Sequence, residues 1–154
     1  MKETIEKFYQ SFDQLDAEGM VSCYHEDVVF EDPGFGLLKG KRAGDMWRML
    51  CESQKGKDFR IEASDISFDG ETGSAHWEAH YDFSKTGRRV HNIIEAKFKF
   101  KDGLIIDHRD HFNLHRWARQ ALGFQGLLLG GTGFFRKKLH LQTNKLLDKF
   151  IQNL

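Results

Sequence analysis

Proline is almost missing: Pro33 is the one proline in 154 residues, and no stretch reads as a linker that would split the chain. Cysteine is scarce too. Cys23 and Cys51 are too few for a disulfide framework, so a reducing compartment is expected. Net charge is nil, with 23 basic and 23 acidic residues, which excludes a global pull towards nucleic acid or membrane. No apolar run approaches a membrane span. No Asn-x-Ser/Thr acceptor is present, and the opening MKETIEKF has no signal-peptide core. A cytoplasmic location is the expectation.

What remains is a one-domain composition, 40% hydrophobic and 30% charged. Phenylalanine is heavily used, at fourteen residues. It carries apolar area without a polar tip, so it suits a core or an apolar cavity wall. Charge is uneven along the chain. From His115 onward Arg116, Arg119, Arg136, Lys137, Lys138, Lys145 and Lys149 face a single acid, Asp148.

Periodicity orders the elements. Ile5, Phe8, Tyr9, Phe12 and Leu15 fall at helical spacing; after Gly19 a short helix carries Met20, Val21 and Tyr24. VVFED reads as a strand, PGFGLLKGK as a glycine-rich loop, and Arg42 to Ser53 as a helix. From Asp58 the period becomes two. FRIEASDISF, SAHWEAHYDF, VHNIIEAKFKF and LIIDHRDHFNL read as four strands joined by turns, hence an antiparallel meander. Trp77, Ala79, Tyr81 and Phe83 share one face; His76, Glu78, His80 and Asp82 share the other. HRWARQALG gives a helical turn or two, and GFQGLLLGGTG a flexible apolar loop. A last amphipathic helix has Phe135, Leu139, Leu146 and Phe150 roughly in register. Helices grouped apart from strands imply an α+β layout with helices on one face of the sheet.

One stretch raises a question of its own. VVFEDPGFG sets Glu31 and Asp32 directly before the lone proline. Proline disfavours helix at Asp32 and holds it extended. Such an aspartate either starts a turn, taking a backbone N–H, or is aimed at something. The sequence leaves both open.

This order of elements, FEDP before a glycine-rich loop, and HRDHFNL on the last strand resemble the NTF2-like superfamily. Within it the chain is similar to SnoaL-like polyketide cyclases, ketosteroid isomerase and limonene-epoxide hydrolase, over roughly residues 3–117. The resemblance implies a cystatin-like cone, a curved sheet wrapped around N-terminal helices with a deep apolar pocket between. It implies residues 1–122 as the NTF2-like domain and 123–154 as a loop and basic helix packed on it. It also implies a homodimer through the outer sheet face, where His76 and His80 would lie.

The resemblance assigns positions. Asp32 falls on the general base of the isomerase, and Asp110 on an aspartate of the hydrolase that acts on substrate. Parity then puts His108 and Phe112 in the pocket with Asp110, along with Trp77, Tyr81, Asn92 and Ile94. Phe8, Phe12, Tyr24, Phe30 and Trp47 complete the expected wall for an apolar small-molecule ligand. Two departures stand out. The isomerase's oxyanion donors match Phe8 and Ala96, which donate nothing, and losing one such donor costs about a hundred- to a thousand-fold in rate. The hydrolase's Arg and second Asp match Trp77 and Ala79. Neither named reaction carries over intact.

The implied chemistry is carboxylate-mediated proton transfer by an isomerase, cyclase or hydrolase without a cofactor. Asp110 is the main acid/base, Asp32 the second and His108 an auxiliary. The rival is a ligand-binding or protein-association domain of the same fold. No metal site is expected. His76 and His80 share a face but lie about 13 Å apart along a strand, and alternation puts His108 and His111 on opposite faces. No phosphate loop is present. The basic tail has three readings: packing on the domain, capping the pocket or exchanging with a partner subunit, or contact with an anionic membrane surface.

Overall fold

The structure is a computed structural model and describes all residues, Met1–Leu154. Two N-terminal helices, α1 (Lys2–Asp13) and α2 (Ala17–Val21), lead into β1 (Tyr24–Asp32) and β2 (Gly36–Lys39). After α3 (Lys41–Gln54) come β3 (Arg60–Phe68), β4 (Thr72–Asp82), β5 (Arg89–Lys101) and β6 (Leu104–His111). The chain ends in α4 (Leu114–Leu122), α5 (Phe124–Leu129) and α6 (Gly133–Gln152). The architecture is α+β and NTF2-like, as expected.

The six strands lie in the order β2-β1-β6-β5-β4-β3. β3 to β6 form the expected antiparallel meander. β1 closes the sheet by pairing with β6 in parallel, which the meander alone did not foretell. A parallel neighbour needs a long crossover, and here α3 and four strands intervene. Alternation holds cleanly in β5, where Val90, Asn92, Ile94, Ala96 and Phe98 point inward. A register shift between Lys99 and Phe100 lets both Ile105 and His108 of β6 face inward despite their odd spacing. The core lies between this face and α1, α2 and α3, packed with Phe8, Phe12, Phe30, Trp47 and Phe98.

Four local readings need correction. Tyr24 opens β1 and does not belong to the second helix. The stretch after Pro33 contains β2, which folds back on β1 with Asp32 opposite Gly36; four residues are too few to show a period. Gly36 has φ +75, and a Cβ there would meet the His140 ring at 3.2 Å. GFQGLLL is the helix α5, not a loop. It crosses so close to α4 that a Cβ on Gly126 would lie 1.9 Å from the Ala118 carbonyl oxygen. In α6 the inward residue is Leu147, and Leu146 is exposed.

α4 covers one end of the sheet with a small cluster of Val90, Leu114, Trp117, Ala118 and Ala121. It also fills an unpaired strand edge: His91 donates its N–H to Gln120 and accepts from Arg116 on its carbonyl. α6 lies across the turn after β1. His140 Nε2, Thr143 Oγ1 and Asn144 Nδ2 donate to the carbonyls of Pro33, Gly34 and Phe35 at 2.8, 2.9 and 2.9 Å. Arg42 of α3 pairs with Asp148 at 2.6 Å. Phe124, Leu128, Phe134 and Leu141 remain exposed. No helix is long and apolar enough to cross a membrane.

Candidate functional site

β1 and β6 set the two acids side by side. Phe30 lies opposite His108 and Glu31 opposite Arg109. One residue further along each strand come Asp32 and Asp110, near enough for the Asp110 charge to act on the Asp32 carboxyl. Alternation sends Glu31 and Arg109 outward, where they pair at 2.8 Å. Asp32 and Asp110 turn inward.

Asp32 starts the turn and keeps one oxygen free of it. Its Oδ1 accepts the N–H groups of Gly34 and Phe35 at 3.0 and 2.7 Å, so it caps the turn. Its Oδ2 has no protein partner within hydrogen-bond reach. Burial pushes its carboxyl up to about 7, against the pull of the two backbone donors, and the Asp110 charge pushes the same way.

Asp110 ends a directional chain of hydrogen bonds. Trp47 Nε1–H can only donate, and it donates to the Tyr24 hydroxyl at 2.8 Å. His108 Nε2–H donates to Asp110 Oδ1 at 3.0 Å, since an ionised carboxylate only accepts. In the neutral ring Nδ1 is then left to accept the Tyr24 hydroxyl proton, at 2.8 Å. Trp77 Nε1–H donates to the same oxygen at 3.3 Å. The His108 side chain is fully buried, caged by Phe8, Phe30 and Phe98 with Trp47 stacked at 6.1 Å. The two carboxylates, Asp32 and Asp110, thus each present one held oxygen and one free oxygen.

A further residue stands here that the sequence reading passed over. Tyr9 of α1 is buried, and its hydroxyl has no hydrogen-bond partner. Burial raises its phenol far above the usual value, and the Asp110 charge adds to that. Its ring lies 5.5 Å from Trp77. Matching position by position selected Phe8 and stopped there. The signal was available: Ile5, Phe8, Tyr9 and Phe12 form one inward stripe, and Tyr9 is its one member with a donor.

The expected wall residues divide into two groups. Phe8, Phe12, Tyr24, Phe30, Trp47, Trp77 and Ile94 pack together around His108 in the main core. Tyr81, Asn92 and Phe112 lie towards α4. The Tyr81 hydroxyl accepts from Trp117 Nε1 at 2.8 Å, and burial pushes its phenol up to about 12. Asn92 is buried opposite Ala79, and Phe112 is half-buried between the two clusters. Aromatic side chains thus occupy much of the cone's interior. Two clefts, of about 410 and 290 Å³, are lined by other residues: one by Lys97, Lys99, Asp107 and Arg109, the other by Tyr9, Gln10, Asp13 and Ile61.

N-terminal helices packed on a six-stranded, mostly antiparallel sheet make the NTF2-like architecture. Residues 5–108 match the profile of the SnoaL-like domain, and the chain belongs to that family. Among curated proteins, no significant sequence match was found. Several solved structures share the fold. A limonene-epoxide-hydrolase-like epoxide hydrolase of M. tuberculosis is 23% identical with TM-score 0.62, over 83% of this chain and 89% of that one. A protein of Xanthomonas campestris described as a polyketide cyclase is 21% identical with TM-score 0.61, over 77% and 93%. A protein of Catenulispora acidiphila with a ketosteroid isomerase-like fold, in complex with trimethylamine, is 8% identical with TM-score 0.63, over 77% and 92%.

Proposed function

We propose that the chain is a small-molecule enzyme doing proton-transfer chemistry on an apolar substrate with a carbonyl or epoxide oxygen. The observation that carries this is the Asp32–Asp110 pair: two inward carboxylates on adjacent strands, one of them raised to about 7. A carboxyl near neutral pKa is suited to giving and taking protons at pH 7. Asp110 acts as base, removing a proton from carbon or from water, with His108 holding its Oδ1. Asp32, when protonated, supplies a proton to the oxygen that gains charge. The Tyr9 hydroxyl gives that oxygen an O–H donor that Phe8 and Ala96 do not. Division of acid and base roles between two carboxyls is a known route to such chemistry.

The test is turnover of a panel of small epoxides, unsaturated ketones and polyketide-like aromatic ketones. Asp32→Asn and Asp110→Asn should each lower the rate of any substrate found by about a hundredfold or more. An unchanged rate in Asp110→Asn sinks the assignment.

A second reading, a non-catalytic protein-association domain of the same fold, has one observation in its favour: aromatic side chains occupy much of the interior. It predicts neither binding nor turnover of any panel member.

A further inference from the structure

The outer face of the sheet carries a separate cluster. In the β4–β5 register His80 lies directly opposite His91, and Glu78 sits two residues from His80 on the same face. The two imidazoles stack with centroids 4.2 Å apart. Glu78 Oε1 is 2.6 Å from His91 Nε2. One donor atom from each of the three side chains lies within 4.8 Å of the other two. All three are partly exposed, so an ion in water has a direct approach.

We propose that Glu78, His80 and His91 form a binding site for one divalent transition-metal ion of the zinc type. Two imidazoles and a carboxylate suit zinc and its neighbours, and imidazole disfavours magnesium and calcium. Bonds of about 2.1 Å in a tetrahedron set ligand atoms about 3.4 Å apart. Side-chain rotation on a solvent-facing surface closes that gap. The fourth position goes to water or to Glu62, whose Oε1 is 3.5 Å from His80 Nε2.

A supporting layer is already in place. His76 Nε2 lies 2.9 Å from Glu78 Oε2, and Glu95 holds the other nitrogen of His76. Such outer partners orient a ligating carboxylate.

The expectation of no metal site came from reading along one strand. His76 and His80 are indeed too far apart on β4, but His80 and His91 meet across strands.

The experiment uses the full chain and zinc ion alone, in competition with a chromophoric chelator at pH 7.5. One equivalent should bind, and melting temperature should rise with zinc. His80→Ala and His91→Ala should each weaken binding roughly tenfold or more. His25→Ala, on β1, should leave it unchanged. A circular-dichroism melt without metal checks that each variant is folded. No uptake by the wild-type chain, or equal affinity in the His80 and His91 variants, overturns the proposal.

Discussion

The sheet carries the same kind of pair on both faces, a histidine against a carboxylate, in opposite surroundings. Inside, His108 and Asp110 meet at 3.0 Å with side chains 0% and 2% exposed. Outside, His91 and Glu78 meet at 2.6 Å with 41% and 32% exposed. The outer contact is shorter, yet the inner one should matter more. Water can replace either outer partner, and an exposed ion pair contributes only about 0–1 kcal/mol. Inside there is no water to substitute, so each group's value lies in what its loss would leave unpaired. Environment, more than distance, sets the worth of a polar contact here.

The largest expected effect breaks the inner side. His108→Ala strands the Tyr24 hydroxyl and removes a donor from Asp110, both buried. Urea unfolding should show a loss of about 3–5 kcal/mol. A loss below about 1 kcal/mol would erase the contrast between the faces.

Next comes pH. The folded pKa of Asp32, about 7, lies above its unfolded value near 3.8, so the folded state keeps the proton longer. The cost of the buried charge is absent below that lower value, grows as pH rises between the two, and is full above the upper one. Asp32→Asn, which can still cap the turn, should gain stability relative to wild type at pH 8 and little at pH 4. Equal differences at both values would mean that Asp32 titrates as an exposed acid.

Tyr9→Phe is smaller in stability and sharper in meaning. Deleting an unpaired buried hydroxyl should change stability by no more than about 1 kcal/mol in either direction. Any turnover found should nevertheless fall at least about tenfold, because the donor is gone. If stability and turnover fall together, the hydroxyl is structural. The smallest effect is outside. Without metal, Glu95→Gln should cost less than about 1 kcal/mol, and less again in high salt.

How much of this was legible in the sequence depended on locality. HWEAHYD states its own two faces, and β4 and β5 follow that alternation. Asp32 and Asp110 were placed inward by the resemblance, and parity, a property of one strand, carried that placement from Asp110 to His108. What parity cannot state is who sits across. His91 joins His80 only through register, and β1 joins β6 only through a parallel pairing many residues apart. Tyr9 was missed for a different reason. A helix presents neighbours to a core almost equally, so fixing on Phe8 hid the residue beside it. α5 was read as a loop because its glycines mimic a linker, while Gly126 in fact permits the closest helix contact in the tail.

The turn that holds Asp32 is gripped by α6 from 107 to 109 residues further along the chain. In the order of synthesis, its three clamping donors emerge long after the acid they steady. Contacts of such sequence separation form late, because the intervening chain must close first. The sheet and its aromatic core can therefore assemble around an Asp32 turn that is still loose. The site gains its final shape only when the last long helix docks, so its assembly is timed by the most distant part of the fold.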